Sequence, residues 1–237
     1  MTEDDIPKAA TLREKLVQAW KWVWSPTARW SLGAIAISGF AAGIIFWGGF
    51  NTALDLADRQ EFCISCHEMK DNVYQELRGT IHDSNRTGVR ATCADCHVPH
   101  PWVWRFQRKI QATFHEVPHW VLGTIDTPEK FAAHRLELAV NEWRRLKTND
   151  SRECRNCHDF RHMDYSVQTK VSAETHKTAF ASGKTCIDCH AGIAHTLPDH
   201  AQEATKVLDD ELAGKGDGIA AYLKSLQEKA PAPAPAK

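Results

Sequence analysis

The longest apolar stretch of the chain runs from Ser31 to Phe50 (SLGAIAISGFAAGIIFWGGF), and no charged residue occurs between Arg29 and Asp55. As a helix, twenty such residues rise about 30 Å, enough to cross the hydrocarbon core of a bilayer. The run is longer than the apolar part of a cleavable signal and starts some thirty residues into the chain, so it predicts a retained transmembrane helix over 31–50. A second pattern has the helical period. Leu136, Val140 and Trp143 share one face of Phe131 to Lys147, Thr127 suits the N-cap and Pro128 the first helical position, which predicts a long helix. Ala201 to Lys229 is amphipathic, with Ile219, Tyr222, Leu223 and Leu226 at helical spacing, and the Ala-Pro repetition from Ala230 is expected to be extended and disordered.

Charge orients the span. Lys8, Arg13, Lys15, Lys21 and Arg29 precede it, whereas the first stretch beyond it offers Arg59 and Lys70 among more acid. The positive-inside rule then puts the N-terminus in the cytoplasm and the rest of the chain outside it. Trp20, Trp22, Trp24 and Trp30 read as an interfacial belt on the inner side, with Trp47 at the far end of the span. Gly39 and Gly43 form a Gly-x-x-x-Gly that would let two spans approach closely, as in a homodimer.

The chemistry lies in the cysteines. All eight fall in four Cys-x-x-Cys-His motifs: Cys63, Cys66 and His67; Cys93, Cys96 and His97; Cys154, Cys157 and His158; Cys186, Cys189 and His190. This is the attachment signature of c-type haem: two thiols bond the porphyrin vinyls and the adjacent histidine binds iron from below. Paired Cys-x-x-Cys units also suit zinc, but zinc has no need of a histidine directly after each pair. Four motifs imply four covalently attached haems. In bacteria that attachment takes place outside the cytoplasm, in agreement with the charge asymmetry.

The motifs come in two pairs, starting 30 and 32 residues apart and offset by about 92, which looks like a duplicated two-haem unit. The expected fold is mainly α with much irregular loop and almost no sheet: one N-terminal transmembrane helix plus a multihaem cytochrome c domain. The expected divisions are a cytoplasmic segment 1–30, the span 31–50, a tetrahaem domain 51–200 and a C-terminal segment 201–237. About 150 residues carrying four haems leave little room for an ordinary core, so porphyrin faces are expected to supply much of the buried apolar surface. The stripe of the 131–147 helix is expected to pack against them. At 237 residues and a net charge of −1, nothing points to nucleic acid as a partner.

Each six-coordinate iron needs a second ligand, and nine further histidines are available: His82, His100, His115, His119, His134, His162, His176, His195 and His200. The sequence resembles the NapC/NirT family of tetrahaem quinol dehydrogenases over residues 20 to 200. The resemblance is carried by CISCHEM at 63–69, CADCHVPH at 93–100, GTIDTPEKF at 123–131, DSRECRNCH at 150–158 and TCIDCHAGIAH at 185–195. It implies that His195 serves the third haem and His82 the fourth. It leaves His67 or Met69 for the first iron, and Lys109, His100 or His176 as the remaining distal ligand. His115, His119, His134, His162 and His200 are left without a ligand role.

The same resemblance implies quinol as electron donor, with Glu116 as proton acceptor or quinol-binding group beside Lys109 and the first haem. Its expected partner is periplasmic nitrate reductase, with a nitrite reductase second, and its place is the bacterial inner membrane with the haems in the periplasm. Residues 101–109 (PWVWRFQRK) interleave aromatics and bases, which fits either a segment lying on the bilayer surface or an ordinary packed helix. Two other classes share the haem motifs: a relay cytochrome that never meets quinol, and a terminal reductase with an open substrate haem.

Overall fold

The computed structural model describes residues 11–23 and 32–229. Trp24, Trp30, Lys8, Arg29 and the Ala-Pro stretch from residue 230 lie outside the described residues. Among those described there is no strand. The chain divides into two compact units, 1–54 and 55–237.

The first unit contains α1 (Leu12–Val23), which carries Arg13, Lys15 and Lys21, and most of α2 (Leu32–Leu56). Residues 33–56 are long and apolar enough to cross a membrane, and their most apolar stretch is not buried within the protein, although Leu54 near the end is. Ile37, Phe40, Ile45 and Phe46 are all about 70 % exposed. Such a surface is stable only against an apolar solvent, as lipid provides. The helix continues six residues past the expected limit at Phe50.

The second unit opens with short pieces: α3 (Gln60–Cys63), a π-helical turn (Met69–Val73), α4 (Tyr74–Leu77) and α5 (Cys93–His97). Two long helices follow, α6 (Trp102–Leu122) and α7 (Pro128–Thr148). As expected, Thr127 caps α7 by accepting the Lys130 amide, and Pro128 occupies its first turn. After α8 (Arg152–Arg155) come two short 3-10 turns, α9 (Lys170–Ala181), α10 (Ile187–His190), α11 (Ala201–Leu212) and α12 (Gly218–Lys229).

The apolar stripe of α7 is covered by protein, which corrects the expectation that it meets haem. Val140, Trp143 and Leu146 pack with Ile187, with Ala201, Ala204 and Leu208 of α11, and with Ile219 of α12. Val140 and Leu208 are at most 1 % exposed, and burial of such side chains contributes roughly 1.5–3 kcal/mol each. The amphipathic 201–229 segment is thus two helices that build a small conventional core. Ion pairs fix the same contact: Arg144 with Glu211, and Lys147 with Asp188 and Asp209.

The end of α7 is turned by two residues with left-handed backbone, Asp150 (φ 58°) and Ser151 (φ 49°). Non-glycine residues adopt this region at a cost of about 1–2 kcal/mol, so it persists only where surrounding bonds hold it. Here Ser151 is fully buried, its amide donates to the Leu146 carbonyl at 2.7 Å, and its hydroxyl accepts the Ile187 amide at 3.3 Å. The turn delivers the third Cys-x-x-Cys-His motif against the fourth.

Candidate functional site

None of the eight cysteines is paired in a disulfide. In motifs two and four the sequence Thr-Cys-x-Asp-Cys-His builds the same structure twice. The Asp95 carboxylate accepts the Thr92 amide and hydroxyl, both at 2.7 Å; Asp188 accepts the Thr185 amide at 2.6 Å and its hydroxyl at 2.9 Å. Each bond set starts a helical turn on which the two cysteines, three apart, share a face. The Cys63 and Cys93 sulfurs lie side by side, as do those of Cys154 and Cys186. Motifs one and two are therefore neighbours, and so are three and four.

The histidines meet in pairs. His97 faces His195 with ring centroids 6.3 Å apart, His158 faces His82 at 6.1 Å, and His190 faces His176 at 6.0 Å. An imidazole nitrogen lies about 2 Å from a first-row transition metal, so two rings on one iron have centroids roughly 6 Å apart. Each pair joins one motif histidine to one from elsewhere in the chain. His119 and His134 also lie 6.4 Å apart, but neither belongs to a thioether motif, and their Nδ1 atoms engage Thr124 and the Lys130 carbonyl. The cysteines therefore distinguish the first three pairs.

Two observations beyond spacing suit these rings to iron. Nδ1 of His82 and of His195 is buried with no hydrogen-bond partner, a costly state for a free imidazole. Burial, then the neighbouring histidines, hold both rings below the ordinary histidine value and so in the neutral form that binds metal. In contrast, Nδ1 of His97 lies 2.8 Å from Glu142, and Nδ1 of His176 lies 2.7 Å from Gln168 Oε1. Both leave Nε2 for a metal. Burial disfavours the charged form of His97, but the Glu142 carboxylate outweighs it and raises the ring's affinity for a proton.

The pairing differs from the one the resemblance implied. His195 stands opposite the second motif rather than the third, and His82 is opposite the third rather than the fourth. His176, one of three alternatives, takes the place opposite the fourth. His100 faces no motif histidine: it is exposed, 3.9 Å from Asp95, in a cleft lined also by Asp58, Val98 and Arg105. Lys109 is held elsewhere as well. Its amine pairs with Asp58 and donates to the Ala57 carbonyl at 2.9 Å, so its hydrogens point at oxygen acceptors. Arg105 bonds Asp58 and Asp55 beside it, at 2.6 Å each.

At the first motif, His67 is exposed with Nε2 3.4 Å from Glu68, and Met69 starts the π-helical turn, half-buried. Among the described residues no second histidine faces His67. Glu116 lies two turns along α6 from Lys109, on the same face, exposed and bonded to Arg108 at 2.9 Å. Glu142 and Gln168, which orient ring nitrogens, carry no motif; Glu142 is legible only as an acid beside the apolar stripe of α7.

Residues 25–200 match the model of the NapC/NirT cytochrome c family, N-terminal region. The chain is 56 % identical to cytochrome c-type protein NapC of Escherichia coli K12 over 180 residues, covering 76 % of this chain and 89 % of that one. It is 56 % identical to NapC of Paracoccus pantotrophus over 220 residues, covering 89 % and 92 %. It is 55 % identical to the denitrification system component NirT of Stutzerimonas stutzeri over 174 residues, covering 73 % and 86 %. No solved structure matches the chain. With its four thioether motifs and a helix long enough to span a membrane, the chain belongs to the NapC/NirT cytochrome c family, electron-transfer proteins that hold haem c covalently.

Proposed function

We propose that this protein oxidises membrane quinol and delivers the electrons through four c-type haems to a periplasmic reductase. Haem c, when bound, supplies reversible one-electron iron chemistry. The observation that carries the reading is the contrast between three motif histidines that each face a second imidazole and His67, which faces none among the described residues. His97 with His195, His158 with His82, and His190 with His176 would hold closed bis-histidine sites suited to relay. The first motif, with His67 or Met69 as its iron ligand, keeps a face available and is the site for electron entry. The neighbouring thiols of motifs one and two, of three and four, and the repeated Thr-Asp bonds support a duplicated two-haem unit.

Quinol oxidation releases two protons with its two electrons, so a base must stand at the entry site. The first motif lies beside the second, whose cleft holds Asp58, Asp95 and His100; Lys109 and Arg105 cross-link Asp58 and Asp55 there. We assign Lys109 to positioning these carboxylates and Glu116 to proton transfer at the exposed end of the same helix face. The surface of α6 supports contact with lipid. Val103, Ile110, Phe114, Val117 and Val121 form one stripe along its length, every one at least 42 % exposed, while Arg105, Lys109 and Glu116 lie on the other side. Arg105, near the start of α6, bonds Asp55, which follows the apolar run by only five residues.

Positive charge before the span supports an N-terminus in the cytoplasm and haems in the periplasm of a bacterial inner-membrane protein. Gly39 and Gly43, with open space where side chains would be, support pairing of two spans in a homodimer. Relatedness to NapC favours periplasmic nitrate reductase as acceptor, and NirT makes a nitrite reductase the second choice. The test is reconstitution in liposomes with reduced quinol and purified nitrate reductase. Nitrate reduction that requires this chain supports the proposal; a rate unchanged by omitting it contradicts it.

A further inference from the structure

The site at His97 differs from the other two paired sites in one respect: it has a carboxylate at hydrogen-bond distance from a ring nitrogen. Glu142 Oε1 lies 2.8 Å from His97 Nδ1. The partner of His176 is the neutral Gln168. The carboxylate is itself fixed. Arg145, one turn on along α7, binds Glu142 at 2.6 and 3.1 Å, the Cys96 carbonyl at 2.8 Å and the buried Glu153 at 3.1 Å. The Glu142 carboxylate, in direct contact with the ring, acts on it more strongly than the Arg145 and Arg108 guanidiniums that oppose it, so the negative charge near the ring is not cancelled. Because Arg145 grips both the carboxylate and the backbone of the second motif, the distance from Glu142 to His97 is set by α7 and not by a mobile side chain.

We infer that Glu142 is a positioning residue that presents His97 to iron through Nε2 and makes the second motif's haem the lowest-potential of the three paired sites. This rests on the proposed reading of His97 and His195 as ligands of one iron. A carboxylate accepting the Nδ1 proton fixes the tautomer and raises the basicity of the ligating nitrogen. A negative charge a few ångströms away favours the more positive oxidation state, and in a half-buried setting the effect is only partly screened. Both effects stabilise ferric iron. The haem nearest the entry site would therefore be harder to reduce than the two beyond it, which gives electron flow a downhill direction once that site is passed.

The test is a potentiometric titration of the full-length, haem-loaded protein in detergent, followed by optical and EPR spectra, for the wild type and for Glu142→Gln. The expected result is that one low-spin component shifts to higher potential, by about tenfold in its ferric-to-ferrous ratio at fixed ambient potential, or 59 mV for one electron. The other components stay in place. Glu142→Asp, which retains the charge at a longer reach, should shift the same component less and covers the case in which the amide variant does not fold. Glu137→Gln, on the exposed side of α7, should shift none. Unchanged midpoints in both Glu142 variants would overturn the inference. A wild type with fewer than three bis-histidine signals would instead show that the ligand reading beneath it has failed.

Discussion

His195 stands across from His97 with 6.3 Å between ring centroids, although the two lie far apart in the sequence of the second unit. The fourth motif's neighbour thus faces the second motif's histidine, and the His82 and His158 pair likewise joins the first half of the chain to the second. The cross-links make the halves interdependent. Loss of one distal histidine should affect a haem whose cysteines lie far away in sequence.

Replacement of His195 by Ala should convert one low-spin haem to high-spin and leave the other three unchanged, and so should His82→Ala and His176→Ala. His100→Ala should change no spin state, since its ring faces Asp95 at 3.9 Å and no motif histidine. EPR of the oxidised variants reads this directly. A high-spin signal in His100→Ala with none in His195→Ala would reverse the pairing.

Lys109→Met should leave every haem low- or high-spin as in the wild type, because the amine is bound to Asp58 and the Ala57 carbonyl. It should destabilise the fold by about 1–3 kcal/mol, since Asp58 then loses a partner in a half-buried place. Chemical denaturation measures the loss. Quinol oxidation should slow while dithionite reduction does not.

Leu208→Ala should cost about 2–5 kcal/mol, the range for emptying a buried leucine site, because Leu208 is fully enclosed by α7, α11 and α12. The thermal midpoint of the haem-loaded protein reports it. A midpoint unchanged by this substitution would mean that the porphyrins, not the helices, carry the core.

Lys147 links α7 to α10 and α11 through Asp188 and Asp209, and its side chain is only 5 % exposed. Burial disfavours its charge, but the two carboxylates outweigh that and raise the amine above its ordinary 10.5. Its stabilisation is therefore complete below 10.5 and lost as pH rises through the higher folded value. Burial would raise Asp188, but Lys147 and Thr185 hold it below its ordinary 3.8, so its contribution is complete above 3.8 and lost as pH falls through the lower folded value. Thermal midpoints should form a plateau across neutral pH with both flanks falling. In Lys147→Met the alkaline flank due to this pair should vanish.

What the sequence makes legible is what local chemistry dictates. The span follows from uninterrupted apolar residues, and α7 from Thr127, Pro128 and the spacing of Val140 and Trp143. The four haem motifs are read from the cysteine pairs and the histidine that follows each. The partners that face the motif histidines are not legible, because His195, His82 and His176 reach their places through tertiary packing that no spacing rule encodes. The core of α7, α11 and α12 is hidden for a related reason: a stripe such as Val140 and Trp143 looks the same whether protein or porphyrin covers it. In α6 the apolar residues face outward and Pro118 lies inside the helix, both contrary to the pattern of a surface helix in water.

The central claim is that quinol is the electron donor. The direct measurement is anaerobic stopped-flow mixing of the full-length protein in nanodiscs with reduced ubiquinol and menaquinol analogues, with the haem bands followed and dithionite defining complete reduction. Rapid reduction of part of the haem by one quinol, slowed in Glu116→Gln and Lys109→Met, is the predicted result. Complete reduction by dithionite with none by either quinol would contradict the account and make the chain a relay fed by another protein.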